Sequence, residues 1–200
     1  MTDHRFEATA MTTAPRMKAH THAKTGGFRL LGRFRRDRTG AAAIEFAIVA
    51  VPFLVLLFAI IETSVIHFAS GILDTATSTA ARDIRTGRAK QDNWTTSSFK
   101  QEVCNGLSGM FDCEGRLYVD VKSYSGFAAA DLSSPLNDDR ELDDDDFGYT
   151  SGDRGEIIVV RTFYRWPVIF DFFSLSLADM ANGDRLLGSV VTFRNEPFPW

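Results

Sequence analysis

The stretch Arg35-Arg36-Asp37-Arg38-Thr39-Gly40-Ala41-Ala42-Ala43-Ile44-Glu45-Phe46, with the apolar run that continues from it to Ile61, decides the fold. Between Thr39 and Ile61 the only ionisable side chain is Glu45. As a helix rising about 1.5 Å per residue, positions 41–61 reach roughly 31 Å, which matches the hydrocarbon core of a bilayer at about 30 Å. The segment therefore reads as a transmembrane helix. A basic cluster of Arg29, Arg33, Arg35, Arg36 and Arg38 stands directly before it. By the positive-inside rule that cluster holds the N-terminus in the cytoplasm and sends the residues beyond 62 outward.

Glu45 is the anomaly in this run. An acidic side chain at the centre of a spanning helix costs about 2.5–3.5 kcal/mol on insertion scales, and less near an end. Taken alone, the carboxylate either snorkels to headgroup level or has a partner. Its surroundings bear on that choice: Arg-Thr-Gly, then Ala-Ala-Ala-Ile-Glu-Phe, then an unbroken apolar helix resemble the processing site of type IV pilin-like precursors. More closely, Gly40 through Val49, together with Pro52, Glu62 and Ala80-Ala81-Arg82, resemble the TadE-like pseudopilins of tight-adherence (Tad/Flp) pilus machinery. The resemblance is strong over residues 33–88 and diffuse beyond, where Arg194-Asn195-Glu196-Pro197-Phe198 is again similar to TadE-like tails.

The resemblance implies that a prepilin peptidase cuts between Gly40 and Ala41 at the cytoplasmic face. Glu45 then becomes the fifth residue of the mature chain. It also implies that Glu45 and Phe46 act in assembly, with other pilin-like subunits and Tad assembly-platform proteins as partners at the bacterial inner membrane. The implied function is that of a minor or accessory subunit, without catalysis and without a cofactor. The rivals are a membrane-anchored periplasmic sensor or binding domain, which would keep its basic N-terminus uncut, and a tethered enzyme, which would show a cleft with converging polar groups.

Charge is segregated along the chain. Residues 1–40 carry nine Lys and Arg against three Asp and Glu, a net of +6, and the remainder carries 13 against 23, a net of −10. This polarity suits a basic tail on an anionic cytoplasmic leaflet and an acidic domain on the far side. It argues against nucleic acid as a partner, since the basic tail is short and ends at a membrane segment. Residues 1–27 are rich in Ala, Thr and His without apolar periodicity and read as disordered. The leader is long for its role, so Met11 and Met17 are alternative starting points to Met1. A secretory signal would have an h-region of about 7–15 residues followed closely by a small-residue cleavage site. Residues 46–61 are longer than that, candidate sites such as Ser78-Thr79-Ala80 lie too far on, and no cysteine ends the run as in a lipoprotein.

Beyond Glu62 the pattern turns amphipathic. Val65, Ala69, Ile72, Leu73, Ala76, Ala80 and Ile84 fall on one face at helical spacing, while Thr63, His67, Ser70, Asp74, Ser78 and Arg85 lie off it. The expected stop is Thr86-Gly87, after basic Arg82 and Arg85, whose charges complement the helix dipole. A helix over 41–86 would be about 70 Å long, with Pro52 as its point of weakness because proline deletes one backbone hydrogen bond. The organisation is thus a leader over 1–40, a transmembrane helix over 41–61, an amphipathic extension over 62–88 and an extracytoplasmic domain over 89–200.

In that domain Cys104 and Cys113 are the only cysteines. An even pair at short spacing in an oxidising compartment is expected to form a disulfide, and two cysteines without a nearby histidine fall short of a zinc site. Ser97–Leu107 reads as a short helix. Strands are expected over 117–121, over 155–166 with Pro167 closing it, and over 186–193 after the Asn182-Gly183 turn. The apolar, aromatic segment Val168–Leu177 either packs on the sheet or rests on the membrane surface. Residues 123–155 read as a solvated, partner-facing loop. Its run Glu141-Leu142-Asp143-Asp144-Asp145-Asp146 lacks the spacing of an EF-hand calcium loop. The fold class is α+β, a long helix packed on a small antiparallel sheet in a pilin-like arrangement. No nucleophile elbow, P-loop, dinucleotide fingerprint or metal-ligand spacing appears. His4, His20 and His22 lie in the leader, and His67, beside the membrane, reads as a surface residue.

Overall fold

The computed structural model describes residues 38–107, 109, 111–170 and 177–198. The basic and Ala-, Thr- and His-rich leader before Arg38 lies outside them. The chain divides at Val49–Ala50 into two compact units. Of the first unit the described part is helix, and Ala41 through Val49 are all exposed.

Three α-helices, one short 3-10 helix (Phe127–Ala129) and three strands make up the regular structure of the described residues. Helix α1 is Arg38–Arg85, α2 is Arg88–Gln91, α3 is Thr96–Gly106, and the strands are β1 (Leu117–Tyr124), β2 (Ile157–Pro167) and β3 (Asp184–Arg194). The strands form one antiparallel meander in the order β1-β2-β3. α1, α3 and the three strands match the expected elements to within a few residues, while the short α2 was not foreseen, and β2 ends on Pro167, which has no N–H to continue a ladder. α1 ends where Gly87 takes a left-handed conformation with φ of 80°. A side chain at Gly87 would also meet the Phe198 ring, 2.5 Å from the position of its Cβ. Backbone conformation and packing therefore both select glycine at the end of this helix.

Alternation along the strands sorts the sheet into two faces. The inner face carries the rows Leu117–Tyr164–Leu187, Val119–Thr162–Ser189 and Val121–Val160–Val191. Against it lies the stripe Ile66, Ala69, Leu73, Ala76, Ala80 and Ile84 of α1, with Phe99 and Val103 of α3. Leu73, Ile84, Phe99 and Val103 are buried almost completely, a contribution of about 1.5–3 kcal/mol for each such side chain. The alanines let the backbones approach: a Cβ added at Gly106 of α3 would stand 3.0 Å from that of Ala76. Thr77 and Thr162 share a hydrogen bond of 2.5 Å between hydroxyls in the middle of this interface, so neither buried group is left unpaired.

The buried stripe differs from the expected face at its start. Val65 is exposed and Ile66 is buried, so the sheet sits about one residue further round the helix. Val65 and Ile66 are both β-branched apolar residues, and spacing alone does not choose between them.

Over β1 and β2 the outer sheet face is covered as well, whereas on β3 Gly188, Val190 and Thr192 are exposed. Phe147 stacks on Phe163 with ring centroids 5.7 Å apart. Backbone at 148 and 150 pairs with Val121 along the free edge of β1. A turn closed by Asn137 and Glu141 completes the cover. Asp143 through Asp146 point outward and are exposed, as a solvated acidic run would be, while Phe147 and Tyr149 turn inward and anchor it.

Candidate functional site

The processing and assembly residues singled out by sequence, Gly40, Ala41, Glu45 and Phe46, lie on α1. Gly40 stands at the third position of that helix, with no atom within 4 Å of where its Cβ would be and no left-handed backbone. Nothing in the fold itself demands glycine there. Ala41 and Glu45 are one helical turn apart, a spacing that puts them on the same side of the helix. Both are exposed, as is Phe46 at 74 %. From Ile44 through Ile61 the large apolar side chains Ile44, Phe46, Val49, Phe53, Leu56 and Ile60 are all open. α1 has the length and apolar composition to cross a membrane, and its most apolar stretch is not buried against the rest of the protein. Exposure of this much contiguous apolar surface is what a lipid-facing helix requires and what a soluble domain avoids.

Where the apolar run ends, the chain places an acid that sequence reading noted only as part of a motif. Glu62 is 5 % exposed. Its Oε1 accepts hydrogen bonds from the backbone N–H groups of Ile169, at 2.7 Å, and Phe170, at 3.2 Å. Hydrogen bonds to a charged acceptor contribute about 1.5–3 kcal/mol each, and a buried carboxylate without them is costly. One turn earlier, Phe58 stacks on Phe170 with centroids 5.0 Å apart and planes 20° from parallel. The signal in the sequence was an acid at the first polar position after the apolar run. Its partners lie more than a hundred residues away and carry no mark of the pairing.

Cys104, near the end of α3, and Cys113 are joined in a disulfide, with Cα atoms 6.1 Å apart. Nearby, the Tyr164 hydroxyl accepts the Asp112 N–H at 3.0 Å, and Phe111 meets Tyr164 and Trp166 edge-on. The loop from α3 to β1 is thereby tied to the sheet at two points. Burial raises the Tyr164 hydroxyl above its ordinary pKa.

A polar recess of about 150 Å³ on the outer sheet face is lined by Lys122, Asp131, Ser133, Asn137 and Arg161, among others. Both of its cations are already engaged by Asp120, through Arg161 Nη2 at 2.7 Å and Lys122 Nζ at 3.6 Å. Among the described residues, no group of three or more His, Cys, Asp or Glu side chains comes together where a metal ion would sit. His67, the histidine left after the leader, is exposed on α1.

A family model described as TadE-like protein aligns with residues 40–82, which begins at Gly40, includes Glu45 and Glu62, and ends within the last turns of α1. No curated protein and no solved structure matches the chain. Over residues 40–82, the helix that carries its apolar run and packs on its sheet, the chain is similar to the TadE-like protein family.

Proposed function

We propose that the chain is a single-pass inner-membrane pseudopilin, a minor pilin-like subunit that acts in assembly of a Tad-type adhesive pilus. The observation that carries this reading is the coincidence of the family match, which begins at Gly40, with the exposed apolar half of α1, which begins at Ala41. The basic leader stays in the cytoplasm, residues 41–61 cross the bilayer, and the sheet domain lies on the periplasmic side. A prepilin peptidase cuts the Gly40–Ala41 bond.

Cleavage creates an ammonium group on Ala41 at nearly the membrane depth of Glu45. In low dielectric such charges attract far more strongly than in water, and a lone one is costly. Glu45 pairs with the new amine of a neighbouring pilin-like subunit and sets helix register, with Phe46 packing beside it. The subunit works by helix-to-helix assembly with Tad platform proteins and carries no catalytic chemistry of its own.

The test is the N-terminus of protein extracted from cells with an active prepilin peptidase. Ala41 is the expected first residue, and an intact leader overturns the reading. Gly40→Val separates fold from processing: the helix has room for the side chain, so the variant should insert and fold yet remain uncut. Glu45→Gln should be cut normally but impair piliation. Wild-type piliation by a normally processed Glu45→Gln protein would remove the docking role while leaving the cleavage intact.

A further inference from the structure

Ile169 and Phe170 occupy a position that the anchor alone does not require. Phe58 lies three residues inside the end of the apolar run, about 4.5 Å below Ile61 along a helix. Because Phe170 stacks directly on Phe58, it lies at the same depth as a residue inside the apolar run. Ile169 beside it is 72 % exposed, more than any other large apolar side chain described outside α1. That exposure rules out packing of Ile169 on the sheet.

A backbone segment at the edge of hydrocarbon also needs acceptors for its N–H groups, since water is scarce there. Glu62 Oε1 supplies one acceptor to both N–H groups. We infer that Ile169 and Phe170 form a lipid-facing lip, held beside α1 by Glu62, that seats the sheet domain in the interfacial layer of the membrane. The occupant of this apolar surface is the bilayer itself. The inference rests on the reading of residues 41–61 as a membrane span: if that helix is in lipid, the stacked Phe58 and Phe170 bring the lip into the same leaflet. Large apolar and aromatic side chains favour this depth. With one contact at the helix and a second at the lip, the domain would be restrained from swinging about its anchor.

The experiment uses the full chain reconstituted in phosphatidylcholine–phosphatidylglycerol vesicles. Both native cysteines are paired, so a single introduced cysteine carries an environment-sensitive fluorophore at Ile169→Cys. Phe53→Cys, in the apolar run, and Val190→Cys, exposed on β3, serve as references. At 169 the fluorophore should be quenched by lipids carrying a shallow nitroxide several-fold more than at 190, and should be correspondingly shielded from aqueous iodide. Adding Glu62→Ala should reduce the lipid quenching at 169 without changing it at 53, whereas Glu62→Gln, which keeps the acceptor oxygen, should retain most of it.

If 53 is quenched by lipid but 169 is as open to iodide as 190, the lip is wrong and the span stands. If 169 is shielded from both iodide and lipid nitroxides, a protein neighbour covers it and the lip is again wrong. If 53 itself escapes lipid quenching, the span fails and the lip fails with it.

Discussion

Asp120 and Arg161 sit directly opposite each other on β1 and β2, and both are almost fully buried on the outer face of the sheet. Arg161 Nε and Nη2 donate to Asp120 Oδ2 at 3.0 and 2.7 Å, which leaves Oδ1 for the Gly148 N–H at 3.0 Å. The guanidinium also lies 5.9 Å from the centroids of Phe147 and Phe163 and donates through Nη1 to the Ser133 carbonyl at 3.2 Å. One ion pair thus clamps two separate parts of the acidic loop onto the sheet.

Removing one partner leaves the other charge buried without compensation. Asp120→Ala should cost about 3–5 kcal/mol in urea unfolding of the sheet domain followed by tryptophan fluorescence. Replacing both, as Asp120→Leu with Arg161→Met, should recover much of that loss. A single variant within error of the wild type would show that water reaches the site.

The hydroxyl pair at the helix–sheet interface makes a second double-mutant test. Thr77→Val leaves Thr162 without its partner and should cost about 1–3 kcal/mol, whereas Thr77→Val with Thr162→Val should lie close to the wild type. Additive losses in the cycle would show that the two hydroxyls act independently.

Tyr149 packs on Phe99, and among the described residues its buried hydroxyl has no hydrogen-bond partner. Burial pushes its pKa up to about 12, from an ordinary value of 10.0. Because the folded-state value is the higher one, the neutral phenol's stabilising effect is fully present below pH 10 and is lost as pH rises from 10 towards 12. Tyr149→Phe should be neutral or stabilising at pH 7, and the stability difference in its favour should widen over that alkaline window. Tyr164, shifted upward in the same sense, is common to both proteins and cancels in the comparison.

Reduction of the Cys104–Cys113 bridge opens a loop with a sequence separation of nine residues. The chain-entropy treatment gives a loss of roughly 2–3 kcal/mol for so short a loop. Alkylation of protein isolated from membranes without reductant should label neither thiol. Labelling of both would count against the bridge and against export of the domain to an oxidising compartment.

Much of the architecture was legible because its causes are local. Twenty-one positions with one ionisable side chain specify a helix that exposes apolar surface, whatever the rest of the chain does. Pro167 stops β2 and Gly87 stops α1 through the backbone properties of single residues. The phase of the buried stripe was read less well: Val65 and Ile66 are equivalent to periodicity, and only the seated sheet selects Ile66.

Residues 123–155 were read as a solvated loop, correctly for the carboxylates of Asp143 to Asp146. That reading missed Phe147 and Tyr149, because a segment without periodicity gives no sign of which side chains will find a partner. Sequence by itself determined most of the elements, the exposed apolar run with Glu45 in it, and the TadE-like similarity over residues 40–82. Only the tertiary structure decided that Glu62 receives the backbone of Ile169 and Phe170, and that Asp120 meets Arg161. Composition and spacing act within a few turns, while these pairs lie 107 and 41 residues apart in the chain and exist only where the path of the sheet brings the chain back.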